Sequence, residues 1–355
     1  ANYQYVDQVY AAYATYSKSF EKLSLQAGLR AESSFYEGEL TQTGQKFSTN
    51  YPVSLFPSAS ASYKLTGKTD LQISYSRRIN RPNFFQIIPY TDYSDSLNIS
   101  KGNPALEPEF THSVELSAMK TISRKNTLMA TIYYKQTDGV ITRYLSYEVD
   151  TILGRNVLVS TFRNANTSYA YGVELTAQNN IKNWLDITSN VNAYQSMING
   201  KNIESNLKVE QFSWFAKLNL SFKLPKNFSV SLSGDYHSKT ALQLNSGGGR
   251  GPMGGGTQST AQGYVRPNYG VDAGLRYDFL KDKAASLTLN VSDIFKTRIN
   301  DVHSESDFYI QDSWRKRDSQ IFRLNFSYRF GKFDTSLFKR KNQKINTEGM
   351  QDMSM

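Results

Sequence analysis

The chain has 355 residues, 41 basic and 31 acidic side chains, three histidines and no cysteine, for a formal charge of +10. The lack of cysteine excludes a disulfide framework, a thiolate metal site and a cysteine nucleophile. No stretch approaches the roughly 18 consecutive apolar residues of a membrane helix, but a membrane barrel, which shows only alternate residues to lipid, stays open.

Ala1-Asn2-Tyr3-Gln4 has neither the basic start nor the apolar run of a secretory signal. From there on, period two dominates. Leu23, Leu25, Ala27, Leu29 and Ala31 alternate with Ser24, Gln26, Gly28, Arg30 and Glu32. Phe212, Trp214, Ala216, Leu218, Leu220 and Phe222 alternate with Ser213, Lys217, Asn219 and Ser221. This template predicts strands at 5–17, 22–36, 55–65, 69–79, 112–121, 126–136, 167–178, 184–194, 211–224, 228–237, 268–279, 285–292 and 319–330. No segment reads as a helix.

The connections alternate between short and long. Short turns are predicted at Ser19–Glu21, Thr66-Gly67-Lys68, Ser123-Arg124-Lys125, Asn180–Asn183, Pro225-Lys226-Asn227 and Lys281–Ala284. Long loops are predicted at 37–54, 80–111, 137–166, 195–210, 238–267 and 293–318. Strands of about ten residues, tilted by about 40°, cover the roughly 25 Å apolar band of an outer-membrane barrel, and such barrels put short turns on one side and long loops on the other. Aromatic residues near both strand ends fit the two interfacial girdles. The expected fold is therefore all-β, an antiparallel transmembrane β-barrel.

The polar face would line the lumen. It carries the charges Arg30, Glu32, Glu115, Glu174, Asp272, Arg276 and Arg323, which suit a wet or plugged interior and would be costly against lipid. The strand count is odd, about thirteen, and the two ends fall on opposite sides of the membrane. An even count is the rule for single-chain bacterial barrels. The expectation is a C-terminal portion of a barrel of about 22 strands, with the barrel over 1–330 and a basic, polar, disordered periplasmic tail over 331–355.

Particular residues carry a resemblance. Tyr75-Ser76-Arg77-Arg78-Ile79-Asn80-Arg81-Pro82 leads to Pro89-Tyr90, and Gly102-Asn103-Pro104-Ala105-Leu106-Glu107-Pro108-Glu109 follows. Tyr171-Gly172-Val173-Glu174-Leu175, Asn290-Val291-Ser292-Asp293-Ile294-Phe295 and Phe326-Ser327-Tyr328-Arg329-Phe330-Gly331 come later. Over nearly its whole length the chain resembles the barrel part of the outer-membrane β-barrel family within the TonB-dependent receptors. That resemblance implies energised nutrient uptake across the outer membrane of a Gram-negative bacterium. It also implies contact with lipid and lipopolysaccharide, an extracellular substrate held by loops, an N-terminal plug, and TonB. Nothing in this sequence matches the plug or the segment that TonB grips.

In the loop between the two proline motifs, Pro82, Pro89, Pro104 and Pro108 restrict the backbone, and Gly102-Asn103 suits a turn. Arg81, Tyr90 and Glu109 are the candidate substrate contacts there, beside a purely structural role for the motif. No catalytic, cofactor or metal site is expected: His112, His237 and His303 belong to no shared motif. Gly249-Arg250-Gly251-Pro252-Met253-Gly254 spells a dinucleotide fingerprint without its strand–helix context, so a glycine-rich outer loop is the reading. The scattered charge gives no nucleic-acid motif. Two other functions remain open, a non-transporting surface-binding or assembly scaffold and a soluble all-β binding protein.

Overall fold

A strand with one apolar and one polar face must pair along both edges and turn its faces toward different environments. In the computed structural model the described residues are 2–94, 98–123, 125–150, 152, 154–203, 208–241, 263–306, 309–316 and 318–330. The glycine-rich 247–256 stretch and the 331–355 tail lie outside them. Thirteen long strands form a single antiparallel meander. In order these are β1 (Tyr3–Ser19), β2 (Leu23–Leu40), β3 (Gln45–Thr66) and β4 (Thr69–Asn80). After the short β5 (Thr91–Asp92) and β6 (Asn98–Lys101) come β7 (Glu109–Ser123), β8 (Asn126–Asp150), β9 (Arg155–Ile181), β10 (Leu185–Asn199), β11 (Lys208–Lys223) and β12 (Phe228–His237). The short β13 (Thr240–Ala241) and β14 (Gly263–Val265) precede β15 (Asn268–Phe279) and β16 (Ala285–Val291). A hairpin of β17 (Ile299–Ser306) and β18 (Tyr309–Lys316) precedes β19 (Phe322–Tyr328). Strands β13, β14, β17 and β18 make a second, small sheet at the long-loop end. Among the described residues β1 pairs only with β2 and β19 only with β16, so both edges of the large sheet are open.

The register keeps the two faces apart across the sheet. Leu25, Ala61, Ile73, Leu116, Ile132, Val173, Ala193 and Trp214 are successive cross-strand partners from β2 to β11. Most of these apolar side chains, with Leu29, Leu218, Leu275 and Leu324, are exposed. So large an uncovered apolar surface requires a non-aqueous surrounding. The other face is laced by polar contacts: Ser117 with Thr131 at 3.0 Å, Ser233 to Asn219 Oδ1 at 2.7 Å, and Asn190 to Glu174 Oε1 at 2.6 Å. On it the Tyr133 hydroxyl reaches Asn192 Oδ1 at 3.0 Å. It passes over Gly172, where a Cβ would stand 2.9 Å from that hydroxyl and 2.5 Å from the Ala193 carbonyl. Glycine in the Tyr-Gly-Val-Glu motif is thus a packing requirement.

The short turns lie where the sequence puts them. Lys182-Asn183 and Lys226-Asn227 both have positive φ, the conformation that matches the right-handed twist of flanking strands. The long-loop end differs from expectation. Residues 37–54 and 137–166 are not loops: β2 and β3 continue to a turn closed by Gly44 N donating to Leu40 O at 2.8 Å. Strands β8 and β9, of 25 and 27 residues, run on together as far as the pair Asp150 and Arg155. At roughly 3.3 Å per residue they are far longer than a 25 Å apolar band needs. Strict alternation ends where neither face meets hydrocarbon, which is why the pattern under-reads these strands. A four-residue helix, α1 (Phe84–Ile87), also corrects the all-strand reading; Asn83 and Gln86 form a reciprocal capping box at its start.

Leu218 lies on the exposed apolar face and Asn219 on the polar face, bonded to Ser233. Leu218→Arg is expected to cost about 2–4 kcal/mol at mid-membrane depth and to cut the folded, heat-modifiable fraction recovered from outer membranes. Asn219→Arg is expected to leave that fraction near wild type.

Candidate functional site

The segment from Arg81 to Pro108 folds back over the polar face at the long-loop end. Ile87, Ile88 and Leu106 pack there with Tyr36, Leu40, Phe47, Tyr51 and Ile141 in the main buried cluster, with Tyr5, Phe84 and Phe162 against it. Polar anchors hold the segment at both ends. At its start, the Arg81 guanidinium pairs with the Glu32 carboxylate and donates to Ser34 Oγ at 2.9 Å. Arg30 donates to the same Glu32 at 2.7 Å. At its end, Glu109 accepts from Ile141 N at 2.7 Å and from Asn80 Nδ2 at 2.6 Å.

The Gly-Asn-Pro motif is the middle anchor. Asn103 N donates to Gln86 O, Asn103 Nδ2 to Phe162 O at 2.8 Å, and Ala105 N to Asn103 Oδ1 at 3.0 Å. One asparagine therefore ties helix α1, strand β9 and its own turn together. Gly102 lies so close to α1 that a Cβ would meet the Ile88 carbonyl at 2.3 Å. Thr49 Oγ1 and the Tyr51 hydroxyl donate to the carbonyls of Pro104 and Leu106. Burial, with Glu107 nearby, pushes the Tyr51 phenol up to about 12, so it remains a protonated donor.

A second polar cluster joins the small sheet to the large one. Arg298 donates to Asp272 at 2.7 Å and to Asp235 at 2.7 Å. Asp272 also accepts from Asp293 N at 2.7 Å. Asp293, fully buried just past β16, accepts from Thr297 N, Arg298 N and Ser319 Oγ. Burial alone would push its carboxyl up, but these hydrogen bonds outweigh it and hold the group below the usual carboxylate range. Beside the cluster is a cleft of about 380 Å³ lined by Asp235, Asn268, Arg298, Ile299, Asn300, Arg315 and Ser319.

The structure brings some of the sequence candidates together and leaves others apart. Arg81 and Glu109 both belong to the anchors of the inward segment. Tyr90 is 41% exposed on that segment. Of the lumen charges, Arg30 and Glu32 meet at Arg81. Glu115 is 3.7 Å from Lys135, and Arg276 donates to Asp278 at 2.9 Å. Glu174 accepts from Asn190, Asp272 holds Arg298, and Arg323 is exposed on β19. Arg298 was not signalled by the sequence, because it lies outside the predicted strands and its acids Asp272 and Asp235 are distant in the chain.

A model of the outer membrane protein beta-barrel family matches residues 1–328. The chain belongs to that family. Its place is the outer membrane of a Gram-negative bacterium, so the exposed apolar band faces lipid, the short turns are periplasmic and the long hairpins extracellular. Similar solved folds include the ferric citrate transporter FecA in unliganded form, with TM-score 0.63 and 15% identity, covering 92% of this chain and 46% of FecA. The copper transporter OprC matches with TM-score 0.62 and 13% identity, over 92% of this chain and 49% of OprC. The ferric yersiniabactin uptake receptor FyuA from Yersinia pestis matches with TM-score 0.60 and 14% identity, over 93% and 46%. This chain thus spans about half the length of the structures it matches. No curated protein matches the sequence.

Two predictions test the mouth of this family member. Gly102→Ala is expected to destabilise the inward segment by about 1–3 kcal/mol through overpacking, read as faster proteolytic cutting between Arg81 and Glu109. Asp293 titrates lower in the folded state than unfolded, so its stabilising contribution is present above the ordinary aspartate range, about pH 4, and fades as pH falls through the lower folded value. Acidification below about pH 4 is expected to loosen the β16–β17 connection in wild type, measured by limited proteolysis, and Asp293→Asn to loosen it already at pH 7.

Proposed function

We propose that the chain is the barrel portion of an outer-membrane TonB-dependent receptor that takes up a nutrient. In this reading the large sheet is part of a closed barrel of about 22 strands, residues 1–330 form its wall and 331–355 a periplasmic tail. Substrate meets the extracellular hairpins and the inward segment, and a plug and TonB act in the complete receptor.

The observation that carries the reading is the anchored inward segment. Its described residues, 81–94 and 98–108, narrow the extracellular mouth with a built structure, capped, partly buried and tied to β2, β3, β8 and β9. A simple lipid-bound scaffold has no use for an ordered constriction there. The match to folds named as ferric and copper transporters supports the same reading. So do the two open edges, since unpaired backbone groups in hydrocarbon require neighbouring strands. Within the segment, Tyr90 is the substrate contact of choice because it is exposed, while Arg81 and Glu109 hold the segment in place.

The test is a strain lacking the chain's reading frame, screened for growth on limiting metal chelates and limiting organic nutrients, with and without active TonB. The expected result is a defect on one nutrient that loss of TonB reproduces. Full growth on every nutrient, together with lost surface binding or assembly, would transfer the chain to the scaffold class. For the hit, Tyr90→Ala is expected to raise the concentration for half-maximal uptake about tenfold, the loss of roughly 1.4 kcal/mol, without lowering the amount in the outer membrane.

A further inference from the structure

Most inward-facing cations at the mouth are matched by acids. Arg30 and Arg81 share Glu32, Arg298 has Asp235 and Asp272, Arg266 has Asp301 and Asp312, and Lys101 has Glu148. Arg143 breaks the pattern. It lies on β8 directly opposite Phe162 of β9, and its guanidinium carbon stands 5.4 Å from the Phe162 ring centroid. On the same face of β8, two residues to either side, are Ile141 and Leu145, both buried. Ile141 belongs to the cluster beneath the inward segment, so Arg143 points into the mouth.

Among the described residues no carboxylate pairs with it and no hydrogen bond uses its donors. Burial holds its pKa below the ordinary arginine value, and no charge of either sign offsets that burial. A half-buried guanidinium without an acid costs stability in the empty protein. Its neighbour is the Phe162 ring, and among the described residues its in-plane N–H edge makes no hydrogen bond. That edge is the part of arginine that matches a planar carboxylate or a phosphate with two parallel hydrogen bonds.

We propose that Arg143, backed by Phe162, is an anion subsite in the extracellular mouth that takes the carboxylate or phosphate group of an entering solute. This deepens the reading of the mouth as a substrate entrance and rests on it. The donated hydrogen bonds orient the ligand's acidic group, and the inward segment at Asn103, bonded to the Phe162 carbonyl, closes the adjacent wall. The same chemistry could come from a carboxylate of the protein itself, so the experiment separates the two sources.

The full chain in outer membranes is treated with phenylglyoxal, and modification of Arg143 is followed by mass spectrometry of its peptide. The probes are citrate and inorganic phosphate, against sucrose and sodium chloride at matched osmolarity and ionic strength. The expected result is ready modification in chloride and several-fold protection by citrate or phosphate. Protection by neither overturns the proposal. Resistance in chloride, with no further effect of added anion, assigns the site to a carboxylate of the protein and also overturns it. As a second measurement, Arg143→Gln is expected to abolish citrate binding by calorimetry and to raise the thermal midpoint, because an unpaired buried charge is removed; Arg143→Lys is expected to restore part of the binding. A lower midpoint with unchanged citrate binding would make Arg143 merely structural. If the deletion strain shows no uptake defect while citrate still protects Arg143, the transport reading fails and the subsite stands. An uptake defect without protection gives the reverse.

Discussion

A backbone that crosses hydrocarbon must bond every N–H and C=O within the sheet, because no water is there to substitute. Everything else in this protein depends on that constraint. It forces long runs of unbroken antiparallel register and fixes which side chains share a level. Once Leu25 stands opposite Ala61 and Ile73 opposite Leu116, the pleat decides that Arg30 and Glu32 face inward. A one-residue slip would turn those charges into lipid, so the charged lumen and the apolar band enforce the same register from opposite sides.

The same register continues above the membrane and builds the mouth. Glu32, Ser34, Tyr36 and Leu40 follow one another on the inward face of β2, all buried. The first two anchor Arg81, and the last two receive the apolar residues of the inward segment. The change from polar to apolar along one face marks where the strand leaves an open lumen and meets a packed constriction. Proline and glycine serve that constriction differently from the way they serve a flexible loop. Asn103 and Gly102 bring α1 within hydrogen-bonding distance of the returning chain, and Glu109 carries the connection into β8.

Charge is distributed in the mouth by pairing. Glu32, buried, is shared by two arginines, and the partly exposed Arg298 by two aspartates, so each charge has its compensation close by. The Asp293 carboxylate, held by donors from Thr297, Arg298 and Ser319, keeps Arg298 in place, and its backbone N–H ties the connection to Asp272 of β15. Against this background an inward arginine without an acid stands apart. Its charge is available to whatever enters from outside, and the cost of keeping it there is carried by the surrounding packed sheet.

The sequence alone determined the thirteen-strand order, the periplasmic turns and the two faces, because period-two alternation and turn chemistry are local properties. Leu218 and Asn219 could be assigned to opposite faces, and Lys226-Asn227 to a turn, from their neighbours alone. The proline and glycine motifs between Arg81 and Glu109 were legible as a stiffened segment, but not as one folded inward. Only the tertiary structure decided that 37–54 and 137–166 are hairpins. Out of the membrane both faces meet water or protein, and alternation stops reporting pairing. Only it brought Arg81 to Ser34, 47 residues away, and Arg298 to Asp235, 63 residues away. Such partners are chosen by how the hairpins close and fold over the lumen, a long-range event that leaves no spacing in the chain to read.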